Sequence, residues 1–143
     1  MSSIVLFGAT GKTGLALSKV ISGKNLEFFA AVRPGRKSGL LESLGAKILI
    51  VDALDQDKVH TALKDLNKDS IIVSLVGGRH PKLGTRIDYP ANKNIIETSA
   101  KLGFSRFIFI TSIGSGESKP QLPKVLKPIL GSIADEKTKG EIY

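Results

Sequence analysis

The chain has 143 residues, which fits one domain with a substantial core and gives no reason to expect two. It contains no cysteine, so a disulfide framework and a thiolate metal site are both excluded, as fits a reducing compartment. The formal charge is +8, but acidic residues interrupt the lysines and no basic run interleaves with aromatics; this reads as solvated lysine-rich faces, compatible with an anionic cofactor and without the marks of a nucleic-acid binder.

Ile4 to Phe7 is apolar without alternation, as a strand buried on both faces requires, and Gly8, Gly11 and Gly14 follow at the G-x-x-G-x-x-G spacing. Strand, tight turn and helix in this order propose a dinucleotide site. Gly8 permits the turn, Gly11 leaves bare backbone for a pyrophosphate, and Gly14 lets the helix lie close on the sheet with its free N–H groups aimed at the phosphates. Thr10, Lys12 and Thr13 share this loop and join the candidate cofactor-binding set. Gly11-Lys12-Thr13 also resembles the end of a Walker A loop, but that motif needs glycine at position 6, which is Leu6.

Thr13 to Ser22 reads as a helix with Gly14, Leu17, Ser18 and Ile21 inside and Gly23 as terminator. The second strand, Glu27 to Val32, runs into Arg33-Pro-Gly-Arg-Lys37. An acidic residue here would hold a ribose 2′-hydroxyl, whereas basic residues accommodate a 2′-phosphate, so Arg33, Arg36 and Lys37 favour NADP(H). A short helix over Ser38 to Leu44 precedes a third strand, Lys47 to Val51, whose end carries Asp52 and Ala53. Asp52 is expected to face the adenine, and Asp55 to cap a helix bearing Val59, Leu63 and Leu66. His60 falls near that helix's inner stripe and is read as structural or surface, since no partner stands at metal-site spacing.

Ser70 to Val76 is the fourth buried strand, and Val76 and Gly77 are expected to meet the cofactor beyond its carboxyl end. The loop Arg79 to Arg86 carries His80, expected to be hydrated. Asp88 to Leu102 is the clearest helix, with Asp88 as cap, Pro90 in the first turn, Ala91, Ile95, Ser99 and Leu102 on one side, and Gly103 ending it. The fifth strand, Arg106 to Thr111, delivers Thr111 and Ser112 to the edge where a nicotinamide would lie. The Ser112 hydroxyl there can bond a substrate oxygen or hold a water, or it merely opens a Ser-Ile-Gly-Ser-Gly turn. Pro120, Pro123 and Pro128 break the next segment into short turns that could cover the site. Ile129 to Tyr143 is expected to be a final helix, with Lys137 and Glu141 as a weak surface pair. No internal repeat occurs, the apolar runs are strand-sized and the N-terminus has neither a basic leader nor a long apolar core, so a soluble cytoplasmic protein is expected. Alternating strands and helices with right-handed crossovers predict an α/β doubly wound parallel sheet of order 3-2-1-4-5, one NAD(P)-binding Rossmann domain over residues 1–143.

The set Phe7-Gly-Ala-Thr-Gly-Lys-Thr-Gly14, Val32-Arg33, Val51-Asp52-Ala53, Asp88-Tyr-Pro-Ala-Asn-Lys-Asn94, Gly103-Phe-Ser-Arg-Phe107 and Thr111-Ser-Ile-Gly114 resembles the atypical short-chain dehydrogenase/reductases of the NmrA-like and biliverdin-reductase-B (flavin-reductase) type. The resemblance implies NADP(H) bound by Gly8, Gly11, Gly14 and Arg33, the adenine beside Asp52, and the nicotinamide beside Thr111 and Ser112. Lys137 to Glu141 is similar to the family's K-x-x-x-E before a sixth strand. Tyr143 is the last residue, so the Tyr-x-x-x-Lys pair of ordinary short-chain dehydrogenases cannot be built from it, and Tyr89 with Lys93 has that spacing in the wrong element. Family members continue into a sixth strand and a substrate-covering region that this chain does not reach. The chain is therefore expected to be C-terminally truncated relative to the family, with the fifth strand an edge open to another copy, to a partner chain supplying the missing segment, or left bare by the truncation itself. The expected activity is NADPH-dependent reduction of a small conjugated acceptor such as a flavin or bilin-like ring, with Ser112 and Lys137 assisting protonation. The alternative is a noncatalytic NADP(H)-binding redox sensor or assembly module.

Overall fold

The structure is a computed structural model that describes residues 2–80, 82–112, 115–121 and 123–142. Five strands, β1 (Ile4–Phe7), β2 (Phe28–Val32), β3 (Lys47–Ile50), β4 (Ile71–Ser74) and β5 (Arg106–Phe109), form one parallel sheet of order β3-β2-β1-β4-β5. The helices are α1 (Lys12–Gly23), α2 (Gly39–Ser43), α3 (Gln56–Leu63), α4 (Asp88–Lys101) and α5 (Lys127–Ile142). The doubly wound Rossmann-like sheet expected from the alternation of elements is the one observed.

The period-2 geometry of the strands divides the core in two. Val5 and Phe7 of β1 join Ile72 of β4 on the face covered by Val59 and Leu63 of α3 and by Ala91 and Ile95 of α4. Leu6, with Phe28, Ala30 and Val73, packs on the opposite face against Ile21 of α1 and Leu41 of α2. Full burial of a side chain such as Phe7, Leu6 or Phe28 contributes roughly 1.5–3 kcal/mol, so stability concentrates at the centre of the sheet. Its edges are barer: Ile50, the last residue of β3, is 62% exposed, and Ile108 of β5 retains 46%.

The paired strands are shorter than the apolar runs that encode them. β3 ends at Ile50, β4 at Ser74 and β5 at Phe109, and beyond each a single ladder-like bond remains: Val51 N–H to Val32 O at 2.9 Å, Leu75 N–H to Phe7 O at 3.0 Å, Ile110 N–H to Ser74 O at 3.1 Å. Pairing stops there and the chain ends turn away, which opens a crevice above the carboxyl edge. α5 starts at Lys127 and not at Ile129, because Pro128 is tolerated in a first turn where its missing N–H costs nothing. Pro120 lies inside a 3-10 turn at Gly116–Gln121, and Pro123 stands at the N-cap of a second at Lys124–Leu126.

One further expectation is corrected, and one left open, His60 as structural or surface, is decided for the surface. Asp88 is not a cap: Ile87 occupies that position with no side-chain bond, and Asp88 is the first helical residue, 1% exposed and turned inward toward two cations. His60 lies on the exposed side of α3, because Val59 and Leu63 fix the inner face. Asp55 does cap α3, accepting from Lys58 N–H at 3.2 Å. Among the described residues no helix is long and apolar enough to cross a membrane, and no cluster of metal-ligating side chains occurs.

Candidate functional site

The crevice above the sheet is a cleft of about 450 Å³ whose walls come from the ends of β1 to β4. Its floor begins at the glycine loop. Gly8 turns the chain at φ +82°, and a Cβ there would lie 2.9 Å from the Leu75 carbonyl carbon, so no L side chain fits without strain. Gly11 N–H bonds Gly8 O at 3.1 Å, and Gly11 then serves as the N-cap of α1 with no side-chain cap and no acidic residue in the first turn. With no side-chain cap, the first-turn N–H groups are left to a ligand or to water, as an anion-binding helix start requires. Gly14 lies behind the loop: a Cβ there would come within 2.2 Å of Gly8 O, which lets α1 sit directly on the turn. Gly8, Thr10, Gly11 and Lys12 line the cleft, whereas Thr13 points away on the exposed side of α1.

At the ends of β2 and β3 the cleft is bounded by Arg33 and Arg36 on one side and by Asp52 and Ala53 on the other. Arg36 N–H bonds Arg33 O at 3.1 Å, a tight turn that places both arginines on the same wall. Asp52 Oδ1 accepts from Leu54 N–H at 3.0 Å, an Asx turn that fixes the carboxylate at the rim. It is the one carboxylate among the described lining residues, against Lys12, Arg33, Arg36 and Arg79, so the field inside favours an anionic ligand. Ala53 O is tied to α4 by Asn94 Nδ2 at 3.0 Å.

The end of β4 supplies Val76, Gly77, Gly78 and Arg79. Behind it lies a buried charge cluster. Asp88 Oδ2 pairs with Arg86 Nη2 at 2.9 Å and accepts from Gly78 N–H at 3.2 Å, while Asp88 Oδ1 stands 3.9 Å from Lys137 Nζ. Lys137 Nζ donates to Val76 O at 2.9 Å and lies 4.9 Å above the Phe109 ring. Burial pulls the Lys137 ammonium below the usual lysine range; Asp88 opposes this and Arg86 adds to it. Asn92, fully buried, donates to Val76 O at 3.1 Å and to Asp88 O at 2.5 Å and accepts from Ser74 Oγ at 2.5 Å. Arg86 Nε is buried without a partner among the described residues.

Of the predicted site residues, the cleft brings together those from the first four strands. Thr111 and Ser112 are not among its lining residues. Thr111 belongs to a separate groove beside Phe109 and Gly140, and the Ser112 carbonyl accepts from Ser115 N–H at 3.1 Å. Ser115 Oγ lies 2.6 Å from both Ser112 O and Glu141 Oε1, so its one proton serves either of them. Lys137 and Glu141 therefore do not make the expected surface pair: one faces Asp88 and the other Ser115. Ile113 and Gly114 of the Thr-Ser-Ile-Gly motif, and Tyr143, lie outside the described residues. Sequence reasoning missed Arg86, Asn92 and Ser115; the apolar pattern at Ala91 and Ile95 could have flagged Asn92 as an inward-facing polar residue.

Comparison with known proteins agrees with this geometry. A family described as NAD(P)H-binding matches residues 8–143. The solved structure of ChuY, an anaerobillin reductase from Escherichia coli O157:H7, is 30% identical with a TM-score of 0.86, covering 99% of this chain and 66% of that one. The oxidoreductase ylbE from Lactococcus lactis, 20% identical with a TM-score of 0.79, shares the fold over 99% of this chain and 62% of its own. Protein TIC 62, chloroplastic, from Arabidopsis thaliana is 25% identical over 134 residues, 80% of this chain and 21% of that protein. The chain thus spans less than two thirds of the length of these relatives. The glycine loop, the basic wall after β2 and a match over nearly all its residues together establish that this chain belongs to the family described as NAD(P)H-binding, on a Rossmann-like fold.

Proposed function

We propose that the protein binds NADP(H) and reduces a small conjugated acceptor of the flavin or bilin class. One observation carries the cofactor choice: Arg33 and Arg36 line the cleft at the end of β2, where an NAD site would present a carboxylate. The backbone from Gly8 to Lys12 and the start of α1 would hold the pyrophosphate, and Asp52 with Ala53 would border the adenine. When bound, NADPH supplies the hydride; the chain's task is to orient it and to provide a proton. Lys137 serves here mainly through its bond to Val76 O, fixing the Val76–Gly77 wall, and Ser112 is the candidate to assist protonation. The 30% identity to ChuY supports a bilin-like acceptor.

A second reading, a noncatalytic NADP(H)-binding redox sensor or assembly module, draws on two facts. Thr111 and Ser112 do not line the cleft, and the Lys137 ammonium is engaged by Val76 O and Asp88. Titration with NADPH and NADH, followed by nicotinamide fluorescence, tests the shared premise. Arg33→Ala is expected to weaken NADPH at least about tenfold, the value of a charge-assisted phosphate contact, and to leave NADH nearly unchanged. Equal affinity for both cofactors in the wild type would refute it. NADPH oxidation with flavin or bilin acceptors that falls in Ser112→Ala separates the reductase from the sensor.

A further inference from the structure

Beside the cofactor cleft lies a second depression of about 590 Å³, sharing Arg33, Arg36 and Asp52 with it and completed by His80 and Lys82 from the loop between β4 and α4. That loop is a closed hairpin. Arg79 and Arg86 bridge antiparallel, His80 N–H bonds Thr85 O at 2.8 Å, Gly84 N–H bonds His80 O at 2.9 Å, and Arg79 Nη1 donates to Gly84 O at 2.8 Å. The His80 ring closes the tip: Nδ1 accepts from Lys82 N–H at 3.2 Å and from Leu83 N–H at 3.1 Å. An Nδ1 that accepts two N–H groups carries no proton, so in the neutral ring the proton sits on Nε2 and makes that atom a donor. Nε2 has no partner among the described residues. His80, Arg33, Arg36 and Lys82 thus line one depression at the 2′ side of the expected ribose, three cationic residues against the single carboxylate of Asp52 among the described lining residues.

We propose that His80, with Lys82, completes the recognition site for the cofactor's 2′-phosphate, making the β4–α4 hairpin a specificity element reaching across from the opposite wall. This rests on the NADP(H) reading above and adds residues from a strand end far in sequence from Arg33. His80 then has two roles, closing its own hairpin through Nδ1 and donating to a phosphate oxygen through Nε2; Lys82 adds charge.

His80→Asn tests this, because the asparagine oxygen replaces Nδ1 as acceptor and keeps the hairpin closed while removing the Nε2 donor. The wild type, His80→Asn and Lys82→Ala are titrated with NADPH, NADH and 2′,5′-ADP. Each substitution is expected to weaken NADPH and 2′,5′-ADP by about three- to tenfold, the value of one phosphate hydrogen bond or partly screened contact, and to leave NADH within twofold. Equal losses for NADPH and NADH would mean that the hairpin only shapes the cleft, and unchanged binding of all three would remove His80 from the site; either overturns the inference while Arg33→Ala still tests the cofactor reading. A wild type that does not prefer NADPH over NADH overturns both.

Discussion

Replacing Gly14 by alanine tests whether the contact between α1 and the glycine loop sets both stability and cofactor binding. A Cβ at this position would lie 2.2 Å from Gly8 O, 2.7 Å from Ala9 Cα and 2.8 Å from the Ala9 carbonyl carbon. All three are backbone atoms, so no side-chain rotation relieves the clash. Raising 2.2 Å to the 3.4 Å lower edge of ordinary contact needs about 1.2 Å of separation, and α1 is held on its other turns by Ser18 and Ile21, both buried. Overpacking of this kind costs about 1–3 kcal/mol, and the gain in helix propensity from glycine to alanine returns about 1 kcal/mol. Against three backbone atoms the upper half of that range applies, so the net loss is about 1–2 kcal/mol, which lowers the melting temperature of a domain of this size by roughly 3–8 °C. The same displacement draws the N-terminal N–H groups of α1 off the pyrophosphate, so NADPH affinity should fall by about tenfold or more, as misplacement of a preorganised donor set does. Gly23→Ala is the internal control: it ends the same helix, a Cβ there meets nothing within 4 Å, and the variant should be neutral or slightly stabilised. Thermal unfolding with and without NADPH reads both effects. A Gly14→Ala protein as stable as Gly23→Ala, with unchanged NADPH affinity, would refute the argument.

Two further outcomes follow from the buried cluster. Burial lowers the Lys137 pKa from 10.5, so between the lowered value and 10.5 the unfolded chain binds a proton the native state has released; the contribution of this group to stability therefore rises with pH through that window. Urea unfolding from pH 7 to 10.5 should show the stability difference between the wild type and Lys137→Met shifting in favour of the wild type as pH rises, and a constant difference would contradict the assignment. Asn92→Ala removes a donor from Val76 O and from Asp88 O and leaves the Ser74 hydroxyl without its acceptor. It should cost about 2–4 kcal/mol in urea unfolding, several times the effect of an exposed substitution such as Lys19→Ala.

Elements whose signal is local were legible in the sequence. The apolar run Ile4 to Phe7 followed by three spaced glycines specifies strand, turn and helix within a dozen residues, and the basic stretch from Arg33 reaches the cleft because it directly follows β2. Asp55 is legible as a cap for the same reason, since its acceptor finds the N–H three residues on. Strand ends were less so: Val51, Leu75 and Val76 are as apolar as the residues before them, and only divergence from neighbouring strands takes them out of the ladder and into the cleft wall. The edge position of β5 shows differently, as alternation, with Phe107 and Phe109 half-buried and Arg106 and Ile108 exposed.

The charge cluster had no local signal, and its residues illustrate why spacing misleads. Asp88 before a proline reads as a helix cap, and Lys137 four residues before Glu141 reads as an i,i+4 pair worth about 0.3–0.5 kcal/mol in isolation. Both readings assume that solvent is the competing environment. The Lys137 side chain keeps only 8% of its exposure, and an ammonium taken that far from water needs an acceptor at hand, a demand of several kcal/mol that outweighs any surface pair. The available acceptors are Val76 O, 61 residues away in sequence, and Asp88, which the β4–α4 hairpin has already brought against Arg86. Desolvation, not spacing, therefore selects the partner and leaves Glu141 to Ser115. Because Val76, whose carbonyl receives Lys137, lines the cleft, the final helix is coupled to the cleft through a hydrogen bond that no local spacing encodes.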